Sequence, residues 1–238
     1  MRKMNGSSNY LRNQVWKNFA KASFCLLLFF LFLIVFSFRI LVAFRFDVFD
    51  AAGLLISLVP LVAFFFYLQK YHIYKGGWAG EKQVISVLSG ALSDDYFLLN
   101  NLCLRVGGGG DIDHVVLGPG GVFVLETKNW SGDITCYGDE WQRVGKTAFT
   151  SPSWQIKRNV MAIKNVVDSN AALRQMGLWV EGIIVFTNSH AYLHLNNPTV
   201  PVVKLNQLPN YLLSYSGSQR FSREKLEFVG KEILKHKN

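Results

Sequence analysis

The chain has 238 residues, half of them hydrophobic, and a formal net charge of +9. Residues 76–238 contain 16 basic and 14 acidic residues, so most of the positive charge belongs to residues 1–75. Composition therefore does not by itself indicate strong, salt-sensitive binding of long nucleic acids, and no pair of the three cysteines has the spacing of a zinc site.

Two apolar segments near the N-terminus predict a transmembrane helical hairpin. The uncharged run Phe24–Phe38 continues past Arg39 with five more apolar residues, and Ala51–Leu68 supplies 18 further uncharged residues. About 20 apolar residues cross a bilayer, and Arg39 is near enough to one end to reach the interface. We therefore expect spans at about 22–44 and 51–68. A cleaved secretory signal is disfavoured, because no small-x-small cleavage site follows and a second span comes at once.

The charges that flank the two spans predict their orientation. Basic residues precede the first span and follow the second, and such residues are enriched on the cytoplasmic side of membranes. We therefore expect a protein of the cell (inner) membrane with a basic cytoplasmic N-terminus over residues 1–21 and a cytoplasmic domain over residues 76–238. A transporter is disfavoured, because two spans contain no inward chain of carboxylates. The flanking basic residues are Arg2, Lys3, Arg12, Lys17, Lys21, Lys70 and Lys75.

In that reducing compartment all three cysteines are expected to be free thiols. They are Cys25, Cys103 and Cys136.

A helix is predicted over residues 80–92, followed by a strand over residues 96–104. Glu81 shares one helical stripe with Leu88 and Leu92, which turns its carboxylate toward the core side. Two interpretations of Glu81 remain open: a carboxylate of a functional site, or an acid in the first turn of a helix that complements the helix dipole.

Residues 112–117 and 122–128 are predicted to form a β-hairpin, because both are rich in Val, Ile, Leu and Phe and a four-residue Gly-Pro-Gly-Gly loop separates them. The run Gly107–Gly110 precedes the hairpin. It lacks the Gly-Lys-Ser/Thr ending of a phosphate-binding loop, and we interpret it as a flexible loop. Asp113, Glu126 and Lys128 are charged residues within these otherwise apolar strands, so their presence needs an explanation.

The register of the hairpin brings those charged residues together. If Leu117 faces Val122, then Asp113 lies directly opposite Glu126 on the same face of the sheet, with roughly 5 Å between their Cβ atoms. Lys128, two residues beyond Glu126, projects from that face as well.

Two carboxylates so close repel each other unless a cation lies between them. Mg²⁺ (or Mn²⁺) is the natural candidate, since it is held by one or two carboxylates and completes its shell with water and substrate phosphate. Lys128 would then position or activate the attacking water, or stabilise charge on the phosphate. In the alternative, Asp113 and Lys128 lie at solvent-exposed strand ends and Glu126 forms an ordinary ion pair with Lys128.

Other titratable residues are weaker candidates for metal ligands. His114 points to the opposite face of the sheet, so a core or supporting role is favoured over metal ligation. Asp111 has the parity of Asp113, and both a ligand and a loop position remain open for it. His190 and His194 lie in polar, loop-like sequence, and without a Glu between them on a helix they do not fit a metalloprotease.

The predicted helix 153–167 contributes a polar edge beside its apolar stripe. Gln155 and Asn159, at i and i+4, could reach a phosphate or hold a metal-bound water. The basic residues of this helix are available for backbone phosphates, or alternatively form a solvated face. They are Lys157, Arg158 and Lys164. The remaining predicted elements are strands at 133–137, 141–144, 180–187 and 200–204 and helices near 206–215 and 221–236.

These motifs together resemble the nuclease-related domain (NERD) family of the PD-(D/E)xK nuclease superfamily. The similarity covers roughly residues 79–190. It rests on Asp, a hairpin and Glu-x-Lys in 112–132, on Gly80-Glu81 opening a helix, on Asn101 after an apolar strand, and on Pro152, Gln155 and Asn159.

The resemblance implies a fold and a set of roles. The implied fold is α/β, a restriction-endonuclease-like three-layer core with a mixed sheet, here preceded by the two-helix hairpin. The implied metal ligands are Asp113 and Glu126, and Lys128 would be the catalytic lysine. Glu81 and Gln155 would be auxiliary site residues.

The sequence therefore predicts a membrane-anchored, divalent-metal-dependent nuclease that hydrolyses phosphodiester bonds at the cytoplasmic face. Its expected partners are the lipid bilayer and nucleic acid, with DNA favoured over RNA. The alternative is a catalytically silent, membrane-tethered module that binds nucleic acid or protein. The intact Asp, Glu and Lys set opposes this alternative, and the nearly neutral charge of residues 76–238 mildly favours it.

Overall fold

The computed structural model of the protein describes residues 1–4, 10–43, 46–104, 111–145, 150–215 and 220–237. The expected flexible loop Gly107–Gly110 lies outside these residues. The elements, in chain order, are β1 (Arg2–Lys3), α1 (Tyr10–Ala43), α2 (Val48–Ala91), β2 (Phe97–Cys103), β3 (Asp111–Gly118), β4 (Gly121–Lys128), β5 (Gly132–Tyr137), β6 (Glu140–Arg143), α3 (Pro152–Ser169), α4 (Ala171–Gln175), β7 (Val180–Phe186), β8 (Ala191–Asn196), β9 (Val202–Lys204), α5 (Leu208–Ser214) and α6 (Arg223–Lys235).

The chain forms two compact units. One unit, Asn9–Trp78, contains α1 and most of α2; the other combines Met1–Ser8 with Ala79–Asn238. Both long helices are apolar enough to cross a membrane by length and composition. They pack closely where Gly53 meets Phe36, because any side chain at Gly53 would collide with that ring. Arg39 forms ion pairs with Asp47 and Asp50, the acids that follow the first predicted span.

The structure corrects the expectation of a separate helix at residues 80–92. Those residues form the last turns of α2, which continues without a break from Val48 to Ala91. Residues 69–79 contain no proline, and the Gly76-Gly77 pair is flanked by residues that tolerate a helix, so nothing in this stretch stops it.

The second unit is a mixed α/β structure built on a six-stranded sheet of order β1-β2-β3-β4-β7-β9. The pairs β2–β3 and β3–β4 are antiparallel, whereas β1–β2, β4–β7 and β7–β9 are parallel. Six of the eight residues of β4, Gly121–Glu126, are buried, as expected for a central strand that is covered on both faces.

Helices cover both faces of this sheet. On one face, residues of α3 and α6 such as Ile163 and Val229 join the larger core cluster with Val124 of β4. On the other face, Leu88 from the end of α2 packs with Leu125 of β4 and with residues of α5. The unit is therefore a three-layer arrangement, in which β4 places alternate side chains in two different cores.

A smaller sheet of order β6-β5-β8 corrects another expectation. Residues 191–196, which include His194, form strand β8 paired parallel with β5, whereas the sequence indicated a loop. Only Ala191 of this edge strand is fully buried, so its burial pattern lacks the strong alternation that identifies a half-buried strand.

Two short elements were not expected at all. Arg2 and Lys3 form β1, which pairs parallel with Phe97 and Leu98 of β2, although residues 1–21 were expected to be a separate basic segment. The terminal ammonium of Met1 donates to the carbonyl of Leu92, 2.9 Å away. Short helix α4 lies between α3 and β7.

Candidate active site at the β3–β4 hairpin

The β3–β4 hairpin has the predicted register. Its paired residues run from Gly118 and Gly121 to His114 and Leu125, so the turn has two central residues in place of the expected four. Gly121 adopts a φ of +141°, where the carbonyl of Trp179 approaches so closely that a Cβ atom would lie 2.8 Å from its oxygen. A glycine is therefore needed at this turn.

Asp113 is the residue of β3 next to His114, on the side away from the turn. Its Oδ2 accepts a hydrogen bond from the backbone N–H of Thr127, at 2.7 Å. This bond between the two strands holds the carboxylate beside Glu126, the neighbour of Thr127 in the chain. The hairpin itself thus positions one carboxylate from each strand.

Glu126 is a buried carboxylate with two side-chain donors. Its Oε1 accepts from the ammonium of Lys128 at 2.7 Å, and its Oε2 accepts from the amide of Asn159 at 3.4 Å. The Lys128 ammonium also donates to Oε1 of Gln155, at 3.0 Å. The predicted polar edge of α3 is therefore brought to the hairpin, where both of its amides serve the Glu126–Lys128 pair.

Close packing of α3 makes these contacts possible. Gly182 of β7 faces Ile156 and Val160, and an added Cβ atom there would lie 2.8 Å from a carbon of each. Ile156 and Ile163 are fully buried, so the apolar stripe of α3 lies on the sheet and its adjacent polar edge reaches β4.

The two hairpin carboxyl groups have raised pKa values. Loss of hydration, opposed by the Thr127 N–H and by Lys128, raises the pKa of Asp113 to about 6. Loss of hydration, together with repulsion by Asp113, raises the pKa of Glu126 to about 8 despite its contact with Lys128. Burial is the largest cause in both cases, so each carboxyl keeps its proton to a higher pH than usual, and a bound cation would have to displace those protons.

Glu81 joins this cluster from α2. Its Oε2 accepts a hydrogen bond from the amide of Asn101, at 3.1 Å, and burial followed by repulsion from Asp113 and Asp111 raises its pKa to about 8. Glu81 lies far inside a 44-residue helix. The helix-start interpretation is therefore wrong, and its proximity to the hairpin acids is what the structure supports.

Asn101 has an unusual conformation for a strand residue. It lies inside β2 with a φ of +47°, in the left-handed region that asparagine tolerates better than most residues. Its side-chain oxygen is buried without a hydrogen-bond partner among the described residues. The sequence identified this residue only through the family motif, because nothing in an apolar strand predicts a left-handed residue.

His114 is a core residue, in agreement with its predicted supporting role. It is fully buried, and its Nδ1 lies 2.9 Å from Oδ1 of Asn100, its direct partner across β2 and β3. Burial lowers the pKa of His114 to about 3, so the ring is neutral. Asp111 begins β3, is exposed, and acts on Asp113 and Glu81 through its charge.

The basic residues of α3 differ in their surroundings. Lys157 pairs with Asp139, at 2.6 Å, a contact that the sequence did not predict. Arg158 is near enough to lower the pKa of Glu126 by its charge. Lys164 lies 5.9 Å from the ring centre of Trp179. Of the three, Arg158 is the one whose charge reaches the carboxylates.

Trp130 was not expected at the site. The Lys128 ammonium lies 5.7 Å from its ring centre, and the guanidinium of Arg143 lies 5.5 Å from it. The ring packs edge-on against Phe186 of β7, with 6.0 Å between ring centres. Its position two residues after Lys128, in the stretch Glu-Thr-Lys-Asn-Trp, is the feature of the sequence that could have placed it at the site.

The donor set fits a hard divalent cation. Among the residues that the structure describes, no three His, Cys, Asp or Glu side chains form a group that could hold a metal ion. Asp113 and Glu126 supply carboxylate oxygens only, and Mg²⁺ needs no more than one or two such groups because it retains several waters. The raised pKa values of both groups are what a bound cation would reverse.

Comparisons with known proteins agree with this geometry. Residues 76–187 match the family model of the nuclease-related domain, NERD, which belongs to the PD-(D/E)xK-like nuclease superfamily. An uncharacterized protein of Bacillus anthracis is 34% identical over 125 residues, which are 48% of this chain and 56% of that protein. The chain thus matches a little over half the length of this relative. No solved structure matches the chain significantly.

Proposed function

The chain carries a nuclease-related domain over residues 76–187, and from this premise we propose that it is a membrane-anchored, divalent-metal-dependent nuclease that hydrolyses phosphodiester bonds in DNA or RNA. The observation that carries the proposal is the meeting of Asp113, Glu126 and Lys128 at one end of the β3–β4 hairpin. We further propose that the three-layer core is restriction-endonuclease-like, since its mixed sheet presents these residues from adjacent strands.

Asp113 and Glu126 are the proposed ligands of Mg²⁺ or Mn²⁺. When bound, such an ion neutralises charge on the scissile phosphate and lowers the pKa of the attacking water. Asp113 is oriented for this role by the Thr127 N–H, and Glu126 by Asn159. These contacts leave each carboxylate with a free lone pair, because each of its oxygens can accept more than one bond.

Lys128 is the proposed catalytic lysine. Its ammonium is held by Glu126 and Gln155, and a lysine with two fixed acceptors keeps a third donor for the phosphate or for the attacking water. In that position it stabilises the negative charge that develops on the phosphate oxygens in the transition state. Gln155 is thereby a positioning residue for Lys128.

Glu81 is the proposed auxiliary carboxylate. A carboxyl group with a pKa of about 8 is mostly protonated near neutral pH, so Glu81 would give up or take back a proton beside Asp113. Arg158 is the proposed contact for a backbone phosphate, because its charge already reaches Glu126. Lys157, which Asp139 engages, would have to leave that ion pair to serve the same purpose.

The membrane topology has support from the chain itself. Strand β1 precedes α1, strand β2 follows α2, and the two strands pair in one sheet. If both helices cross the bilayer, the chain crosses twice and returns to the same side, as this pairing requires. The basic residues that flank the spans favour the cytoplasmic side of the cell membrane.

One observation favours the alternative of a silent, membrane-tethered interaction module. Residues 76–238 carry 16 basic and 14 acidic residues, so the domain lacks the strong positive charge that typically binds nucleic acid phosphates. A nuclease that acts slowly, or whose substrate is brought to it by another protein, can have the same nearly balanced charge. Catalysis therefore has to be tested directly.

The test is cleavage by the full chain in mild detergent. Because β1 belongs to the sheet, a fragment that lacks the N-terminus is unsuitable. Labelled single-stranded DNA, duplex DNA, branched DNA and RNA are incubated with Mg²⁺ or Mn²⁺, beside Glu126→Gln and the matched control Glu140→Gln, an exposed glutamate of β6. Cleavage by the parent and by Glu140→Gln, but not by Glu126→Gln, supports the proposed nuclease activity. If no substrate is cut while nucleic acid is still bound, the result supports the alternative of a silent interaction module over the nuclease.

A further inference from the structure

The unit formed by Asn9–Trp78 contains a cavity between α1 and α2. Its volume is about 210 Å³. This is smaller than the roughly 300–1,000 Å³ of pockets that enclose a drug-sized ligand, so the cavity suits one part of a larger molecule. It is lined by Val15, Trp16, Phe19, Tyr71, Lys75 and Trp78.

The cavity lies just beyond the apolar segments of both helices. Phe19 precedes Phe24, where the first apolar run begins, by five residues, and Tyr71 follows Leu68, where the second run ends, by three. At 1.5 Å per residue these offsets are roughly 5–8 Å along the helix axes. The polar headgroup layer on each side of the hydrocarbon core is about 5–7 Å thick. In a bilayer Phe19 and Tyr71 would thus lie at the level of the headgroups. Lys75, seven residues beyond Leu68 or roughly 10 Å, would lie at the outer edge of that layer, from which a lysine side chain can reach back to a lipid phosphate.

The surroundings of the cavity are cationic. The sequence contains no Asp or Glu in residues 1–46 or 51–80. The ammonium of Lys75 lies 5.3 Å from the ring centre of Tyr71, that of Lys21 5.2 Å from Tyr67, and that of Lys70 4.4 Å from Phe66. These lysines lie over aromatic rings and form no ion pair among the residues that the structure describes, so their charge can attract an anion from outside the chain.

Membrane topology explains the number of these lysines, but it does not explain an aromatic-lined cavity with an ammonium at its rim. The rule that sets membrane orientation depends only on the number of Lys and Arg residues beside each span, and it requires no cavity. Trp and Tyr side chains favour the headgroup layer because one end is apolar and the other polar, and basic pockets between membrane helices bind anionic headgroups. The combination of both features points to a lipid with a negative headgroup.

We infer that this cavity binds an anionic phospholipid, with its phosphate at Lys75 and the adjoining part of the lipid against Trp16, Phe19 and Trp78. The inference rests on the proposed membrane anchoring. It is independent of cleavage, because the cavity contains none of the proposed site residues. Its role would be to favour membrane regions that are rich in acidic lipid.

Tryptophan fluorescence provides the test, since Trp16 and Trp78 are the two tryptophans of residues 9–78 and both line the cavity. The full chain is reconstituted into phosphatidylcholine bilayers that contain an equal fraction of either brominated phosphatidylglycerol or brominated phosphatidylcholine. Bromine quenches a tryptophan that it contacts. We expect stronger quenching by the anionic lipid, and loss of most quenching in the Trp16→Phe/Trp78→Phe double variant.

Two lysine variants locate the binding. Lys75→Gln should weaken the preference for the anionic lipid by clearly more than the about five-fold that one lysine near an anionic surface contributes. Lys17→Gln removes the same charge from α1 at an exposed position outside the cavity and should weaken the preference by no more than that factor. Equal quenching by both lipids, or equal losses in both variants, would overturn the inference while leaving the anchor intact. A chain that alkaline carbonate extracts from membranes would overturn the inference and the anchor together, whatever its nuclease activity.

Discussion

Replacing Glu126 with Gln should stabilise the metal-free protein while it removes the proposed metal site. Glu126 has an ordinary pKa of 4.5 and a pKa of about 8 in the folded chain. A carboxyl group whose pKa is raised by folding binds more protons in the folded state than in the unfolded state, so stability falls as pH rises through the interval between the two values. Between pH 4.5 and about 8 the parent therefore loses stability that the neutral glutamine retains.

The size of this effect follows from the interval. Each pH unit above 4.5 contributes about 1.4 kcal/mol, so the ceiling at pH 7 is about 3 kcal/mol and at pH 5 it is below about 1 kcal/mol. Asp113 raises the pKa of Glu126 and titrates together with it, so we expect about 2 kcal/mol for the single substitution at pH 7. Glutamine keeps an oxygen that can accept from Lys128, which preserves that contact.

Urea unfolding of the full chain in detergent, with a chelator present, measures the difference. The fluorescence of buried Trp141 reports on the domain. The excess stability of Glu126→Gln over the parent should grow from pH 5 to pH 8, whereas Glu140→Gln, at an exposed position, should follow the parent. If Glu126→Gln is less stable than the parent at pH 7, or if its advantage does not change with pH, the description of Glu126 as a carboxyl whose charged form is disfavoured by burial and by Asp113 is refuted.

Three other predictions concern the site and the sheet. Lys128→Met should reduce cleavage at least about 100-fold while Mn²⁺ still binds, because the lysine acts on the phosphate or the water and not on the metal; loss of Mn²⁺ binding would contradict this division of roles. Mg²⁺ or Mn²⁺ should raise the melting temperature more at pH 8 than at pH 6, since protons on Asp113 and Glu126 compete with the ion; an equal shift at both pH values would argue against these ligands. A tag fused to Met1 should lower the melting temperature of the domain, and the same tag after Asn238 should not, because the Met1 ammonium contacts the Leu92 carbonyl; equal effects would show that β1 contributes no stability.

The sequence predicted the centre of the fold better than its edges. The β3–β4 register followed from two apolar runs and a glycine-rich turn, because a slip of one residue would move every side chain to the other face. The carboxylate pair followed from that register. By contrast, β1 has two residues and β8 has one fully buried residue, so neither carries a pattern long enough to distinguish a strand from a loop.

Contacts between distant segments explain the other differences. The polar edge of α3 was predicted from helical spacing, but the hydrogen bond from Asn159 to Glu126 joins residues 33 positions apart and depends on how α3 packs over Gly182. Lys157 has the spacing of a phosphate contact, yet it is engaged by Asp139 from the β5–β6 turn. Local periodicity identifies the face of a helix, and only the tertiary structure identifies the partner on that face.

Continuity of α2 altered the interpretation of Glu81. From the sequence, a glutamate after Gly80 suited a helix start as well as a functional site. In the structure the helix continues through Gly80 and Glu81 and ends only at Ala91, so the dipole explanation does not apply. What remains is a carboxylate that contacts Asn101 and is repelled by Asp113 and Asp111.

The measurement that tests the central claim most directly is a Mn²⁺ titration of the full chain at pH 8, followed by the electron paramagnetic resonance signal of free Mn²⁺. The parent should bind Mn²⁺, and Asp113→Asn should lose that binding, because one of the two proposed ligand carboxylates is gone. Asp133→Asn, the same substitution at an exposed position of β5, should bind as the parent does. Binding that survives in Asp113→Asn would contradict the assignment of the metal site to the β3–β4 hairpin.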